Sequence, residues 1–124
     1  SNQSGVARGL ITRHQLAGVN ERVDELLGPI DGFFVCDHLP DSGCRCRKPR
    51  PGLPLAAARA LGVPPRRCIL VGDIASDVEA ATRAGMRAIL VPTEATKREE
   101  VDAAPERAHD LRSAVECILG GRRR

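Results

Sequence analysis

Cys68-Ile69-Leu70-Val71-Gly72-Asp73-Ile74-Ala75-Ser76-Asp77 is the stretch on which the fold turns. Its four leading apolar residues, closed by Gly and Asp, suit a central parallel strand covered on both faces, where neither side-chain direction meets water. Residues 77–84, with Gly85 after them, read as a helix and its C-terminal stop. Ala88-Ile89-Leu90-Val91 is the next strand.

Working outward toward the start, Thr12 and Gln15 fit a capping box, and Leu16, Val19, Val23, Leu26 and Leu27 recur at helical spacing up to Gly28-Pro29. Gly32-Phe33-Phe34-Val35-Cys36 predicts a buried strand that runs into a loop. Pro54 suits the first turn of a helix carrying Leu55, Ala58 and Leu61, with Gly62 as its stop. Toward the end, residues 92–105 are polar and charged and read as loop or frayed turn, and a last helix starts at Asp110 as N-cap. The alternation of helix and strand predicts an α/β chain: three αβα layers around a doubly wound, Rossmann-like parallel sheet.

At 124 residues the chain is one domain at most. It has two Phe and no Tyr or Trp, so its core must be aliphatic. The excess of 19 Lys+Arg over 16 Asp+Glu is matched by the three arginines at positions 122–124, a basic tail expected to lack fixed structure. That distribution argues against a nucleic-acid surface, which needs a concentrated basic face. No apolar run approaches the roughly 18 residues of a membrane span. A soluble, cytoplasmic monomer is the expectation.

Three of the five Cys share residues 36–46 with one His: Cys36, His38, Cys44 and Cys46. On a loop rich in Pro, Gly and Asp, such soft donors suit tetrahedral zinc in a closed structural site. The alternative is three small hydrophobes and a surface His. A metal there would pin the adjacent Arg47 and Lys48, donors suited to a phosphoryl group. Asp73 ends a strand of an open α/β sheet, where ligands bind and where a carboxylate can hold magnesium. Asp73 and Asp77 could instead simply favour the start of the following helix. Ser1-Asn2-Gln3-Ser4-Gly5 offers a hydroxyl, an amide and backbone N–H groups able to cradle phosphate. His14, His109 and the acidic residues of 94–100 read as solvated, and Cys68 and Cys117 as core.

With these residues side by side, the chain resembles the magnesium-dependent phosphatases of the haloacid dehalogenase superfamily, in the branch acting on histidinol phosphate and heptose bisphosphate. Residues 1–9 look like that group's second motif, whose leading hydroxyl binds phosphoryl. Residues 36–49 look like its zinc loop running into the third-motif lysine, and Val71-Gly72-Asp73 with Asp77 like its fourth motif. Asn2-Gln3-Ser4-Gly5-Val6-Ala7-Arg8-Gly9 and Lys48-Pro49-Arg50-Pro51-Gly52 are closer to the enzymes removing the 7-phosphate of D-glycero-D-manno-heptose 1,7-bisphosphate. The metal loop also suits the histidinol-phosphate enzymes.

The resemblance implies hydrolysis of a small phosphorylated sugar through an aspartyl-phosphate. Catalysis would fall to Lys48 and Ser1, substrate binding to Ser1, Asn2, Arg47 and Lys48, magnesium to Asp73 and Asp77, and zinc to Cys36, His38, Cys44 and Cys46. Two departures qualify it. Ile74 stands where some relatives carry Lys, and the family's first motif, Asp-x-Asp, which carries the nucleophile and the acid/base, is absent from the sequence. The expectation is a truncated chain, inactive alone, whose sheet lacks its first strand and leaves Val71 uncovered. On this reading residues 1–121 form one phosphatase domain. A catalytically dead, zinc-stabilised binding module is the competing expectation.

Overall fold

The computed structural model describes residues 1–120. The tail at 122–124 lies outside the described residues. In chain order the elements are α1 (Ser4–Ala7), α2 (Arg13–Leu27), α3 (Gly52–Leu61), β1 (Ile69–Gly72), α4 (Ala75–Arg83), β2 (Arg87–Leu90), α5 (Arg98–Ala103) and α6 (Leu111–Gly120). Local chemistry accounts for most boundaries. The Thr12 hydroxyl accepts from Gln15 N at 3.0 Å while the Gln15 side chain accepts from Thr12 N at 2.8 Å, closing the capping box of α2. Gly62, at φ 65°, takes the left-handed turn that ends α3. Asp110 caps α6 by accepting from Ser113 N at 2.7 Å.

β1 and β2 run parallel in the register Ile69↔Arg87 to Gly72↔Leu90. A bridge from Leu90 to Arg107 continues the sheet past β2. The Ala80 and Ala81 side chains of α4 and that of its C-cap Ala84 are buried, as are Ala88, Ile89 and Leu90 of β2. Small residues on the helix let it lie close to the sheet, so the core is aliphatic, as the composition requires.

Four expectations are corrected. Residues 32–36 form only one bridge, Asn2↔Cys36, and residues 1–3 are their only backbone partner among those described. Within the expected loop at 92–105, α5 forms because the Glu100 carboxylate accepts from Lys97 N at 2.9 Å and stabilises its first turn. Cys117 is exposed, its Sγ 3.6 Å from both Arg87 and Glu106, because its side of α6 faces an ion pair and not the core; Cys68 is only half-buried. β1, read from the sequence as a central strand covered on both faces, is instead half-buried at all four positions, because β2 is its one strand partner among the described residues. Leu70 and Val71 of β1 line a groove of about 260 Å³ together with Ser1, Phe34 and Lys48.

Candidate active site and metal centre

The C-terminal end of β1 delivers Asp73, and the first turn of α4 delivers Asp77. Asp77 Oδ2 accepts from Asp73 N at 3.0 Å and from Ile74 N at 3.4 Å, so one carboxylate caps the helix and fixes the strand-to-helix turn. Gly72 makes this possible: a Cβ there would stand 2.3 Å from Asp77 Cβ.

Asp77 Oδ1 pairs with Lys48 Nζ, the two side chains being 5% and 19% exposed. Burial alone would raise the Asp77 carboxyl. The hydrogen bond and charge of Lys48, with the N–H groups of Asp73 and Ile74, outweigh that and hold it below its ordinary value. Asp73 is exposed, and its carboxylate has no hydrogen bond or ion pair among the described residues. Of the two carboxylates it is the one without a partner among the described residues.

Lys48 is also held from behind. Asn2 Nδ2 donates to Lys48 O at 3.3 Å, and Lys48 N donates to Asn2 Oδ1 at 3.2 Å. Cys36 N donates to Ser1 O at 2.9 Å and Gln3 N to Cys36 O at 2.7 Å, tying residues 1–3 to the start of the cysteine loop. Ser1 and Lys48 line the same groove. Arg47 carries a buried Nη1 with no hydrogen-bond partner among the described residues, an unmet donor suited to an anion.

The ligand atoms of Cys36, His38, Cys44 and Cys46 all lie within 4.8 Å of one another. Cys36 Sγ is 3.7 Å from Cys44 Sγ, and His38 Nδ1 is 3.5 Å from Cys36 Sγ and 3.2 Å from Cys46 Sγ. A tetrahedron with metal–sulfur bonds of about 2.3 Å has sulfur atoms ~3.8 Å apart, so the donors fit one four-coordinate metal. The Ser42 hydroxyl leads the interactions that pull the Cys44 thiol down to about 6, while burial pushes Cys46 up to about 12. The loop is braced by Arg50 Nη1, which donates to Cys44 O, and by an Arg13–Asp37 pair at 2.9 Å.

Ser1, Asn2, Lys48, Asp73 and Asp77 thus converge, and the four metal-type ligands form a second group one residue from Arg47. Thr96 and Glu100 were not anticipated. The Thr96 hydroxyl donates to Asp73 O at 2.6 Å, and Glu100 accepts from Ala75 N at 3.0 Å, so the stretch read as loop backs the Asp73 turn. Glu100's position, three residues beyond the N-cap Lys97, was the available signal; Thr96 had none.

Residues 45–116 match the HAD-hydrolase-like family. The chain belongs to that family. It is 40% identical over 97 residues to the D-glycero-beta-D-manno-heptose-1,7-bisphosphate 7-phosphatase of Bordetella bronchiseptica, an alignment covering 75% of this chain and 54% of the relative. Against the Pseudomonas putida enzyme of the same name it is 36% identical over 110 residues, covering 86% and 63%. The crystal structure of D,D-heptose 1,7-bisphosphate phosphatase from B. bronchiseptica, complexed with magnesium and phosphate, superposes with a TM-score of 0.86 at 33% identity, over 97% of this chain and 72% of that one. This HAD-hydrolase-like chain therefore spans little more than half the length of the first of these relatives.

Proposed function

We propose that this chain is the phosphate- and metal-holding part of a phosphatase that releases the 7-phosphate of D-glycero-D-manno-heptose 1,7-bisphosphate. The observation that carries the reading is the convergence of Ser1, Lys48, Asp77 and Asp73 at the end of one parallel strand. Names and likeness of the relatives support the substrate.

Ser1 would donate its hydroxyl to a phosphoryl oxygen, and Lys48 and Arg47 would offset the charge on the others. Asp73 would ligate magnesium, with Asp77 supporting it through the shared turn; the ion would supply charge neutralisation of the phosphoryl oxygens. Cys36, His38, Cys44 and Cys46 would hold zinc as a closed structural site that fixes Arg47 and Lys48. The carboxylate nucleophile and the acid/base of this reaction class have no counterpart in these 124 residues. They would come from sequence outside them, which extends the domain assigned to residues 1–121.

The test is phosphate release from heptose 1,7-bisphosphate and from histidinol phosphate, with magnesium, by this chain and by the same chain extended upstream. Release from the heptose by the extended chain alone supports the proposal. Preference for histidinol phosphate transfers the substrate, and no release by either chain removes the enzymatic reading in favour of a binding module. Among the described residues no helix is long and apolar enough to cross a membrane.

A further inference from the structure

We infer that Asn2 is a positioning residue whose amide sets where Lys48 stands relative to Ser1. The inference rests on the phosphate-cradle reading above and adds a residue role to it. Asn2 and Lys48 are 46 positions apart, yet the Asn2 amide meets both polar groups of one peptide unit's residue, donating to Lys48 O at 3.3 Å and accepting from Lys48 N at 3.2 Å. A primary amide carries a donor and an acceptor in one rigid plane, which is what a reciprocal clamp on backbone N–H and C=O requires.

The backbone of Asn2 is itself fixed. It sits in the parallel bridge with Cys36, bracketed by Cys36 N to Ser1 O at 2.9 Å and Gln3 N to Cys36 O at 2.7 Å. Lys48 is fixed at its far end by the Asp77 carboxylate. Asn2 is therefore a direct link between the segment that carries Ser1 and the residue that carries the ammonium group, and Ser1 and Lys48 both line one groove. An amide used in this way positions the cradle's cation; it has one N–H left, so its main task is the clamp.

The side-chain chemistry makes the role selective. Ala removes both bonds. Asp keeps an acceptor for Lys48 N but sets a carboxylate oxygen against Lys48 O. Gln keeps both groups but adds a methylene that moves them out of register with a backbone already held by Cys36.

The experiment is amide hydrogen exchange at Lys48, resolved by NMR, on this chain and on Asn2→Ala, Asn2→Asp and Asn2→Gln. Binding of inorganic phosphate in the presence of magnesium is followed in parallel by calorimetry. For Asn2→Ala, exchange at Lys48 should quicken about tenfold, the scale of one lost hydrogen bond, while the amides of Gln3 and Cys36 keep their protection. Phosphate affinity should fall by a similar factor. Asn2→Asp should keep Lys48 N–H protection while losing affinity, which a general loosening of the fold would not produce. Parent-like exchange at Lys48 in Asn2→Ala overturns the inference, even where phosphate affinity drops, since Asn2 would then act on the ligand directly. If the parent binds no phosphate, the cradle reading fails, and the exchange result still decides the clamp. Should Asn2→Ala not fold, the Asp and Gln variants decide it, with uniform loss of protection at Gln3, Cys36 and Lys48 counting against it.

Discussion

β2 and residues 32–36 are both short, apolar and rich in residues that favour strands, and they fare differently. In β2, Ile89 and Leu90 are 1% and 0% exposed, because β1 lies on one edge, the Arg107 bridge on the other and α4 covers a face. In the other segment Phe33 is 42% exposed, Cys36 alone is buried, and a single bridge to Asn2 provides the backbone pairing. Apolar character alone does not make such a segment a strand; a neighbour paired along its length does, and β1 has one such neighbour where residues 32–36 have only a single bridge. The β1–α4–β2 side of the site is therefore held by packing, while the cysteine-loop side is held by point contacts: the Cys/His cluster, the Asn2 clamp and a few arginines.

The largest expected break falls on the packed side. Leu90→Ala should cost about 2–5 kcal/mol in urea unfolding, through lost burial and the cavity left behind, whereas Phe33→Ala should cost well under about 2 kcal/mol. Equal losses would erase the distinction. Next is the loop side. Cys44→Ser should abolish binding of the zinc proposed for this loop, measured by elemental analysis, and speed proteolysis around residues 36–50 while β2 amides stay protected. Loss of protection in β2 as well would show that the two sides are not separable.

The joint between them should respond to acid. Because the folded Asp77 carboxyl lies below its unfolded value, its pairing with Lys48 contributes stability that is present above the ordinary carboxylate range and lost as pH falls through the folded value. Asp77→Asn should flatten that acid limb of the stability curve, and an unchanged limb would assign acid sensitivity elsewhere. The smallest effect belongs to the exposed brace: Arg13→Ala, which removes a pair whose arginine is 83% exposed, should change stability by less than about 1 kcal/mol.

The same contrast explains what could be read from the sequence. Helix limits were legible at Thr12 with Gln15, at Gly62 and at Asp110, because caps act between neighbours. β1 and β2 were legible as unbroken apolar runs, and the cysteine cluster by its spacing. The acidic pair was legible from its place after a strand. The Asn2–Lys48 clamp and the Thr96 support of Asp73 were not, since each joins segments far apart in the chain and leaves no periodic trace. The predicted strand at 32–36 missed for a related reason: pattern reports apolar character, while pairing depends on what lies alongside.

Gly72 carries a consequence for how this molecule can vary. With the Asp77 side chain filling the space where any Cβ would stand, substitution at 72 would lever α4 away from β1 and pull the carboxylate from Lys48 at once. A library randomised at codon 72 and selected for folding should return glycine almost alone, while the neighbouring exposed codon 74 should accept many residues.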